Sequence, residues 1–405
     1  MIRTFVQRRG LATVSGLNEV VVVGVARTPM GAFRGSMASL PGPRLGAMAI
    51  EEALKRANVP KDAVDEVYMG AVLAAGAGQA PDRQAALFAG LPQSVPCTLI
   101  NKVCASGMKS IMTAAQSLAL GQSEVAVAGG FESMSNVPYY MSRGDTPYGG
   151  VKLNDGLVFD GLTDVYNKFH MGNCGESTSK KLGISRDEQD EYAMESYRRS
   201  AAAYKDGILQ KEIFNVEVPQ RRKPPVVVEE DEEYKRVNFD KFKSLPTAFQ
   251  KEGGSVTAGN ASTLSDGAAA TILMTETAAK KMGVTPLARI VGFADGATDP
   301  IDFPIAPKFA TEKLLKNVGM NAQEVDLWEI NEAFSVVALA NMKLHELDHS
   351  KVNIHGGAVS LGHPLGMSGA RITNHLVMAL QPGQKGVASI CNGGGGASSI
   401  MVEKV

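Results

Sequence analysis

No run of apolar residues in this 405-residue chain approaches the roughly 18 that a membrane span requires. The body of the chain therefore reads as soluble, with no membrane partner. Nor is there an excess of positive charge: 41 Lys and Arg stand against 42 Asp and Glu. That balance removes the electrostatic footprint of a nucleic-acid binder and leaves any anionic ligand to a local basic patch. Cysteine is scarce. The four present, Cys97, Cys104, Cys174 and Cys391, form no Cys-x-x-Cys pair and show no metal-ligand spacing, which suits a reducing compartment better than a disulfide framework. Acids are missing from the first eighteen residues, where Arg3, Arg8 and Arg9 mix with Thr4, Thr13 and Ser15 and the first carboxylate is Glu19. This is the composition of a mitochondrial presequence, assigned to residues 1–17 and set apart from the fold; a basic terminus without function is the other reading.

What is present suits a large globular protein. Hydrophobic residues make up 44% and charged residues 20%, which argues against disorder, and the length allows two packed domains, since single cores rarely grow beyond roughly 250–300 residues. Glu19 to Val25 reads as a buried strand, Leu45 to Asn58 as an amphipathic helix, Val64 to Val72 as a strand, Ser106 to Gly121 as a small-residue helix and Glu124 to Ala128 as a strand. The alternation predicts an α/β sheet. Val-Asp-Glu-Val-Tyr from Val64 resembles Val-Asp-Leu-Trp-Glu from Val325, and similar short strands follow each at nearly one interval, at Val125 and Val387. Two similar α/β halves are the expectation. Between them, from Pro138 to Glu252, tyrosines sit among glycines and charge then dominates, as in an inserted region. Within it Ser185 and Glu188 form a capping box for a helix through Tyr204. Ala268 to Met274 reads as a strand that rejoins the first half.

Four segments carry chemistry. In Asn101-Lys-Val-Cys104-Ala-Ser-Gly107 a cysteine stands where a helix begins, so that unpaired N–H groups face the sulfur and favour thiolate over thiol. A buried small hydrophobe is the ordinary reading of an isolated cysteine, and it is the one given to Cys97 and Cys174. In Gly356-Gly-Ala-Val-Ser-Leu-Gly-His363-Pro-Leu-Gly366 glycines surround one histidine, able to take a thiol proton at neutral pH, on what Gly362 and Pro364 suggest is an exposed turn. His345, His349, His355 and His375 lack such a setting and read as structural. Cys391-Asn-Gly-Gly-Gly-Gly396 ends a strand in a loop able to present N–H groups to an oxyanion. No Lys-Ser or Lys-Thr follows, so it is no phosphate-binding P-loop, and Gly76-Ala-Gly78 lacks the third glycine of a dinucleotide fingerprint. In Asn331-Glu-Ala-Phe334 the amide can hold a water or an oxygen; alone it would be a turn residue.

Taken together, in this order and spacing, the four motifs resemble the thiolase superfamily over nearly the whole chain after residue 17. Pro300-Ile-Asp-Phe303-Pro304 is similar to its mitochondrial branch acting on acetoacetyl-CoA. The resemblance implies the thiolase fold: two βαβαβαββ halves packed as a layered αβαβα core, with residues 18–137 and 258–284 in the first half, 138–257 as an inserted CoA-binding loop domain and 285–405 as the second half. It implies an acyltransferase that joins two acetyl-CoA into acetoacetyl-CoA plus CoA and runs the cleavage in reverse, with 2-methylacetoacetyl-CoA as a further substrate. Cys104 is then the acylated nucleophile, His363 its activator and Cys391 the acid/base at the α-carbon. Asn331 holds a water that with His363 forms one oxyanion hole, and the N–H groups of Cys104 and Gly393 form the other.

The resemblance further implies CoA contacts at Tyr197, Arg236, Val237, Asn238, Lys241 and Ser262, a pantetheine loop at His170 and Met171, and an acyl pocket narrowed by Phe303 and Pro304. Arg221, Arg222 and Lys223 add to the basic mouth, with the acids Glu229 to Glu233 between. A potassium ion is implied through the Tyr197 hydroxyl and carbonyls of Ala258, Gly259, Ala261 and Val359, with Gly259 standing where the family pattern has alanine. No cofactor is covalently required. A homotetramer, a dimer of dimers, in the mitochondrial matrix completes the picture. The rival within the family is a broad-range 3-ketoacyl-CoA thiolase. A β-ketoacyl carrier-protein synthase would pair its cysteine with two histidines, against which Cys391 argues. An acyl-CoA carrier without activity is the remaining alternative.

Overall fold

The apolar run beginning at Val20 becomes the strand β1 (Val20–Arg27), buried along its whole length. In the computed structural model, which describes residues 16–405, the helix α1 (Gly42–Ala57) follows. Pro43 lies in its first turn, where no N–H partner is lost, and Asn58 ends it in the left-handed conformation at φ 54°. The presequence assigned to residues 1–17 lies, but for Gly16 and Leu17, outside the described residues. The first half continues through β2 (Glu66–Gly70), β3 (Cys97–Ile100), the helix α2 (Ser106–Ala119) and β4 (Val125–Ser133). The chain then leaves the sheet and returns at residue 265 as β5 (Ser265–Thr275), which inserts between β1 and β4. In the excursion lies α3 (Arg186–Lys205), where both bonds of the Ser185–Glu188 capping box form.

The second half runs β6 (Ala288–Ala297), α4 (Ala306–Val318), β7 (Leu327–Ile330), α5 (Ser335–His345), α6 (Leu365–Ala379), β8 (Lys385–Asn392) and β9 (Gly396–Lys404). Its strand order repeats the first. From β1 the pairings run antiparallel to β5, antiparallel to β4, then parallel to β2 and to β3. From β6 they run antiparallel to β9, antiparallel to β8, then parallel to β7 and to an isolated bridge between Trp328 and Val352. The duplication read from Val64 and Val325 is thus a structural one. The halves meet in one hydrogen-bonded sheet through a seam of two residue pairs, Val21 with Arg289 and Val22 with Ala288.

The layering follows from what each helix covers. α1 packs on β1, β4 and β5 from outside and α4 on β6, β8 and β9, while α2 and α6 lie against each other between the two halves. A helix in the middle of five layers has no solvent face, and α6 is buried from Leu365 through Val377. Small residues let it fit there. Ala370, Ile372 and Leu376 join Ile111, Met112 and Leu118 of α2 in the central core, where each large apolar side chain contributes ~1.5–3 kcal/mol. This position also overturns one expectation. The turn at Gly362–Pro364 is buried, with His363 5% exposed, because the glycines and proline that mark surface turns here let backbone pass between packed halves.

Candidate active site

Cys104 sits in the loop between β3 and α2, and the loop is fastened by its own side chains. Asn101 Oδ1 accepts from the Val103 N–H at 3.0 Å, and the Asn101 amide nitrogen donates to the Val72 carbonyl at 3.2 Å. Ser106 Oγ accepts from the Lys102 N–H at 2.8 Å. Cys104 is buried, with the Gly393 N–H and its own N–H directed at its sulfur. These amides favour the thiolate, yet burial outweighs them and pushes the thiol up to about 12. The preference for thiolate that the helix start suggested is thus outweighed by burial, and the thiol needs a base, the role the resemblance gives to His363.

His363 supplies one. Ser368 Oγ donates to the Pro364 carbonyl at 2.9 Å and lies 2.6 Å from His363 Nδ1. The serine hydrogen being committed, Nδ1 carries the imidazole proton and donates it to Oγ, leaving Nε2 as the free acceptor. Burial, with Arg371 a lesser cause, pulls the imidazole down to about 3, so it is neutral near pH 7. The Asn331 side-chain nitrogen lies 3.5 Å from Nε2, and Asn331 Oδ1, fully buried, has no hydrogen-bond partner among the described residues. Beside it the Glu332 carboxylate accepts from Tyr192 Oη (2.8 Å), Ser196 Oγ (2.9 Å), Asn353 Nδ2 (3.0 Å) and the Val359 N–H (3.0 Å). One acid thus fixes the Asn331 loop to α3 and to the glycine-rich approach to His363.

Cys391 ends β8 opposite Ala397, fully buried, and Gly394 and Gly395 turn the chain with φ of 84° and 85°. At Gly395 a Cβ would lie 2.3 Å from the Thr298 carbonyl oxygen, so the turn requires glycine. Burial raises the Cys391 thiol well above its ordinary range, and the neighbouring Cys104 raises it further. A cavity of about 50 Å³ is lined by Cys104, His363, Gly393, Met171, Ser262 and Phe303, among others. Larger clefts, such as one of about 540 Å³ along Val226–Glu232, contain none of these groups.

A glycine junction holds the two halves of the site together. A Cβ on Gly107 of α2 would stand 2.6 Å from the Gly366 carbonyl oxygen of α6, and one on Gly366 would stand 2.5 Å from that of Phe131. The helices that carry Cys104 and His363 at their N-termini therefore touch backbone to backbone. Glu132 locks the junction by accepting N–H groups from Gly366 (2.8 Å), Val72 (3.0 Å) and Leu73 (3.0 Å). Burial lifts its carboxyl to about 7 although all three amides oppose the shift. Ser368, Glu332 and Glu132 escaped the sequence reading. An isolated Ser or Glu has no local signature; only Ser368, five residues after the histidine on the start of a helix, had a spacing that could have flagged it.

The outer residues are placed as follows. Ser262 Oγ donates to the Ala333 carbonyl at 2.8 Å at the cavity wall. His170 accepts from the Gly172 N–H through Nδ1 at 3.1 Å and stacks on Phe249. Phe303 is buried on the cavity, and the Pro304 carbonyl accepts from Asn341 at 2.9 Å. Tyr197 and Val359 share a buried cluster with Phe242, against which Val237 packs. Asn238 caps the turn Phe239–Phe242 through Oδ1, which accepts the Lys241 N–H at 3.3 Å; Lys241 is exposed, and Arg236 pairs with Glu233 at 3.0 Å. Tyr197, Arg236, Val237, Asn238 and Lys241 do not line the cavity. At Gly259 a Cβ would meet Phe242 and Leu245 side chains at 2.8 Å, so these rings and branches occupy the room an alanine methyl would need. Of the histidines read as structural, His345 stacks on Trp328 and His349 on Tyr192, while His355 and His375 join a buried network described below.

A buried thiol and a neutral imidazole on one small cavity, with amide donors facing the sulfur, form an arrangement suited to acyl transfer. Cys391 and Asn331 are not among the residues lining that cavity; Cys391 is close enough to Cys104 to be coupled to it electrostatically, and Asn331 reaches the site through His363. Residues 20–277 match the family described as Thiolase, N-terminal domain, and residues 284–404 that described as Thiolase, C-terminal domain. The chain belongs to the thiolase family. It is 62% identical over 397 residues to the acetyl-CoA acetyltransferase, mitochondrial, of Xenopus tropicalis, covering 98% of this chain and 94% of that one. To the protein of the same name from Homo sapiens it is 62% identical over 389 residues, covering 96% and 91%. The crystal structure of Acat5 thiolase from Ascaris suum in complex with coenzyme A superposes with a TM-score of 0.93 at 45% identity, covering 96% of this chain and 100% of that one.

Proposed function

We propose that this protein is an acetyl-CoA C-acetyltransferase, which condenses two acetyl-CoA to acetoacetyl-CoA and CoA and catalyses the reverse thiolysis. The observation that carries the reading is the convergence of Cys104, His363 and Gly393 on one cavity with Cys391 electrostatically coupled to Cys104; the names of the relatives support the substrate. His363 Nε2 takes the Cys104 proton as the sulfur attacks the thioester carbonyl. The oxyanion lies against the Cys104 and Gly393 amides, and the proton passes to the departing CoA sulfur. In the second step His363 takes the Cys391 proton, and the resulting thiolate removes the α-proton of another acetyl-CoA. The enolate oxygen is held by His363 and the water bound to Asn331. The new carbon–carbon bond forms as the bond from the acetyl carbon to Cys104 breaks; Cys391 then gives its proton to the Cys104 sulfur and recovers its own from His363.

CoA reaches this cavity past Met171, His170 and Ser262, with Tyr197, Arg236, Val237, Asn238 and Lys241 of the inserted region 138–257 contacting the rest of the cofactor. The buried Phe303 closes the acyl end, which favours short and 2-methyl-branched substrates over long chains. A potassium ion fits the neutral oxygens of Tyr197, Ala258, Gly259, Ala261 and Val359: Phe242 packs both on the Tyr197–Val359 cluster and at Gly259, bringing the two segments together. Its charge would order the loop beside the CoA site. A mitochondrial location accords with the relatives' printed names and the leader composition; within it we place the protein in the matrix, as a homotetramer. Thiolysis rates for acetoacetyl-, 2-methylacetoacetyl- and a long-chain 3-ketoacyl-CoA, in potassium and in sodium, test the reading. The short substrates should be cleaved fastest and more rapidly in potassium; a preference for the long chain overturns the assignment in favour of a broad-range 3-ketoacyl-CoA thiolase.

A further inference from the structure

We infer that Lys102 is a positioning residue that sets the Gly393 amide against the oxygen of the acyl group on Cys104; this rests on the reading of Cys104 as the acylated nucleophile. Lys102 lies in the nucleophile loop of the first half, yet its ammonium crosses to the second. It donates to the Ala397 carbonyl at 2.9 Å, to Ser398 Oγ at 2.7 Å and to the Asp295 carboxylate. Asp295 is held in turn by Lys109 of α2 at 2.7 Å and by Ser398 Oγ at 2.7 Å. Those contacts fall on the stretch of β9 paired with the end of β8, where Ala397 faces Cys391 and Gly396 faces Asn392. Gly393 opens the turn between them, and its N–H points at the Cys104 sulfur. One ammonium therefore ties the strand bearing the amide to the loop bearing the nucleophile.

The backbone supplies a second, independent observation. Val103, between Lys102 and Cys104, has φ of 48°, a conformation that a β-branched residue holds only where its surroundings over-determine it. Its side chain reaches within 3.5 Å of the position a Cβ on Gly393 would take. The turned backbone thus brings the Val103 side chain up to the Gly393 turn, and the Lys102 bridge holds the opposing strand in place. Asp295, whose carboxyl both lysines and Ser398 draw down to about 2 although burial opposes them, remains charged throughout the working range.

The arrangement divides the chemistry by half-molecule. His363, Asn331 and Cys391 all belong to the second half, so α-proton removal needs nothing from the Lys102 loop. Acetyl transfer onto Cys104 and condensation from it both place negative charge on an oxygen facing the Cys104 and Gly393 amides. In the first, a sulfur–carbon bond to Cys104 forms as that to CoA breaks. In the second, a carbon–carbon bond forms as the bond to Cys104 breaks.

Lys102→Met in the full chain should slow acetylation by acetyl-CoA, followed by rapid quench and intact mass, about tenfold, a fraction of what loss of a whole oxyanion donor costs. Condensation should slow about as much. Exchange of acetyl-CoA α-protons in deuterated water, at saturating acetyl-CoA, should stay within about twofold, and Lys102→Arg should restore most of the lost rate. Ser398→Ala, a milder cut in the same bridge, should show the same split at about two- to threefold and decides the matter if Lys102→Met does not fold. Equal loss of exchange and acetylation, or unimpaired acetylation, in the variant that folds overturns the inference. Failure of the wild-type chain to acetylate would instead overturn the reading of Cys104.

Discussion

At the scale of single residues the site divides labour by protonation state. A Cys104 thiol held near 12 beside an imidazole held near 3 rests as a neutral pair, so the proton moves only as substrate is attacked. Cys104→Ala should form no acetyl adduct on incubation with acetyl-CoA. Cys391→Ala should acetylate yet fail to exchange α-protons, and normal exchange in that variant would remove Cys391 from its assigned role. Alkylation of Cys104 by iodoacetamide should rise about tenfold per pH unit from pH 6 to 9 without levelling, since the thiolate fraction grows until the raised pKa is reached; a plateau below pH 9 contradicts the elevation. Ser368→Ala frees the imidazole to rotate and should cost roughly ten- to hundredfold in kcat/KM with little change in stability, read by steady-state kinetics and thermal melting.

Four of these chemical residues were legible because their neighbours are unusual: Cys104 at a helix start, His363 and Cys391 among glycines, and Asn331 just past a strand. Their supports were not. Glu332 matters through partners at Tyr192, Ser196, Asn353 and Val359, and Glu132 through Val72, Leu73 and Gly366. Those contacts span distances along the chain that no local pattern records. The balance at Cys104 was half visible for a related reason: the amides at the helix start show in the motif, while the burial that outweighs them does not.

At the scale of elements, apolar periodicity located the strands and helices because each is buried on a defined face, and the repeat interval exposed the duplication. The turn at His363 misled because glycine and proline signal an irregular backbone, not its depth. The glycine junction is where this depth has consequences. Gly366→Ala places a methyl 2.5 Å from the Phe131 carbonyl oxygen and 2.8 Å from Ala71 Cα and from the Gly70 carbonyl oxygen, backbone that cannot move without shifting β2 and β4. It should destabilise by about 1–3 kcal/mol and, by lifting the start of α6 off β2 and β4, lower activity further than the loss of folded protein explains. Denaturant melts together with kcat per folded molecule would show both effects; wild-type turnover in the folded fraction would mean that the seating of α6 on these strands does not set the reacting geometry.

At the scale of the whole molecule, a buried charge network fastens the excursion after β4 to the core. Arg27 on β1 binds Glu212 at 2.6 Å and Asp231 at 2.8 Å, Glu212 binds His375 of α6 at 2.9 Å, and His375 meets His355 at 3.0 Å. Burial opposes ionisation of Glu212, but His375 and Arg27 more than offset it and bring the carboxyl down to about 2. A carboxyl depressed by folding contributes stability above its unfolded pKa and loses it as pH falls toward the folded value. About 3 kcal/mol should therefore disappear between roughly pH 5 and pH 2. Denaturant titrations across that window should show a steeper acid loss for the wild type than for Glu212→Gln, and parallel curves would assign the loss to other groups.

The seam of two residue pairs between β1 and β6 carries one more consequence. So short a join gives the sheet little resistance to sliding, and the burden falls on the two inner helices and the bridges that cross beside them. The nucleophile is mounted on one lobe and the groups that handle protons on the other. Either lobe isolated from its mate would be chemically mute, so selection on this enzyme acts on the fit between lobes as strongly as on any side chain within them.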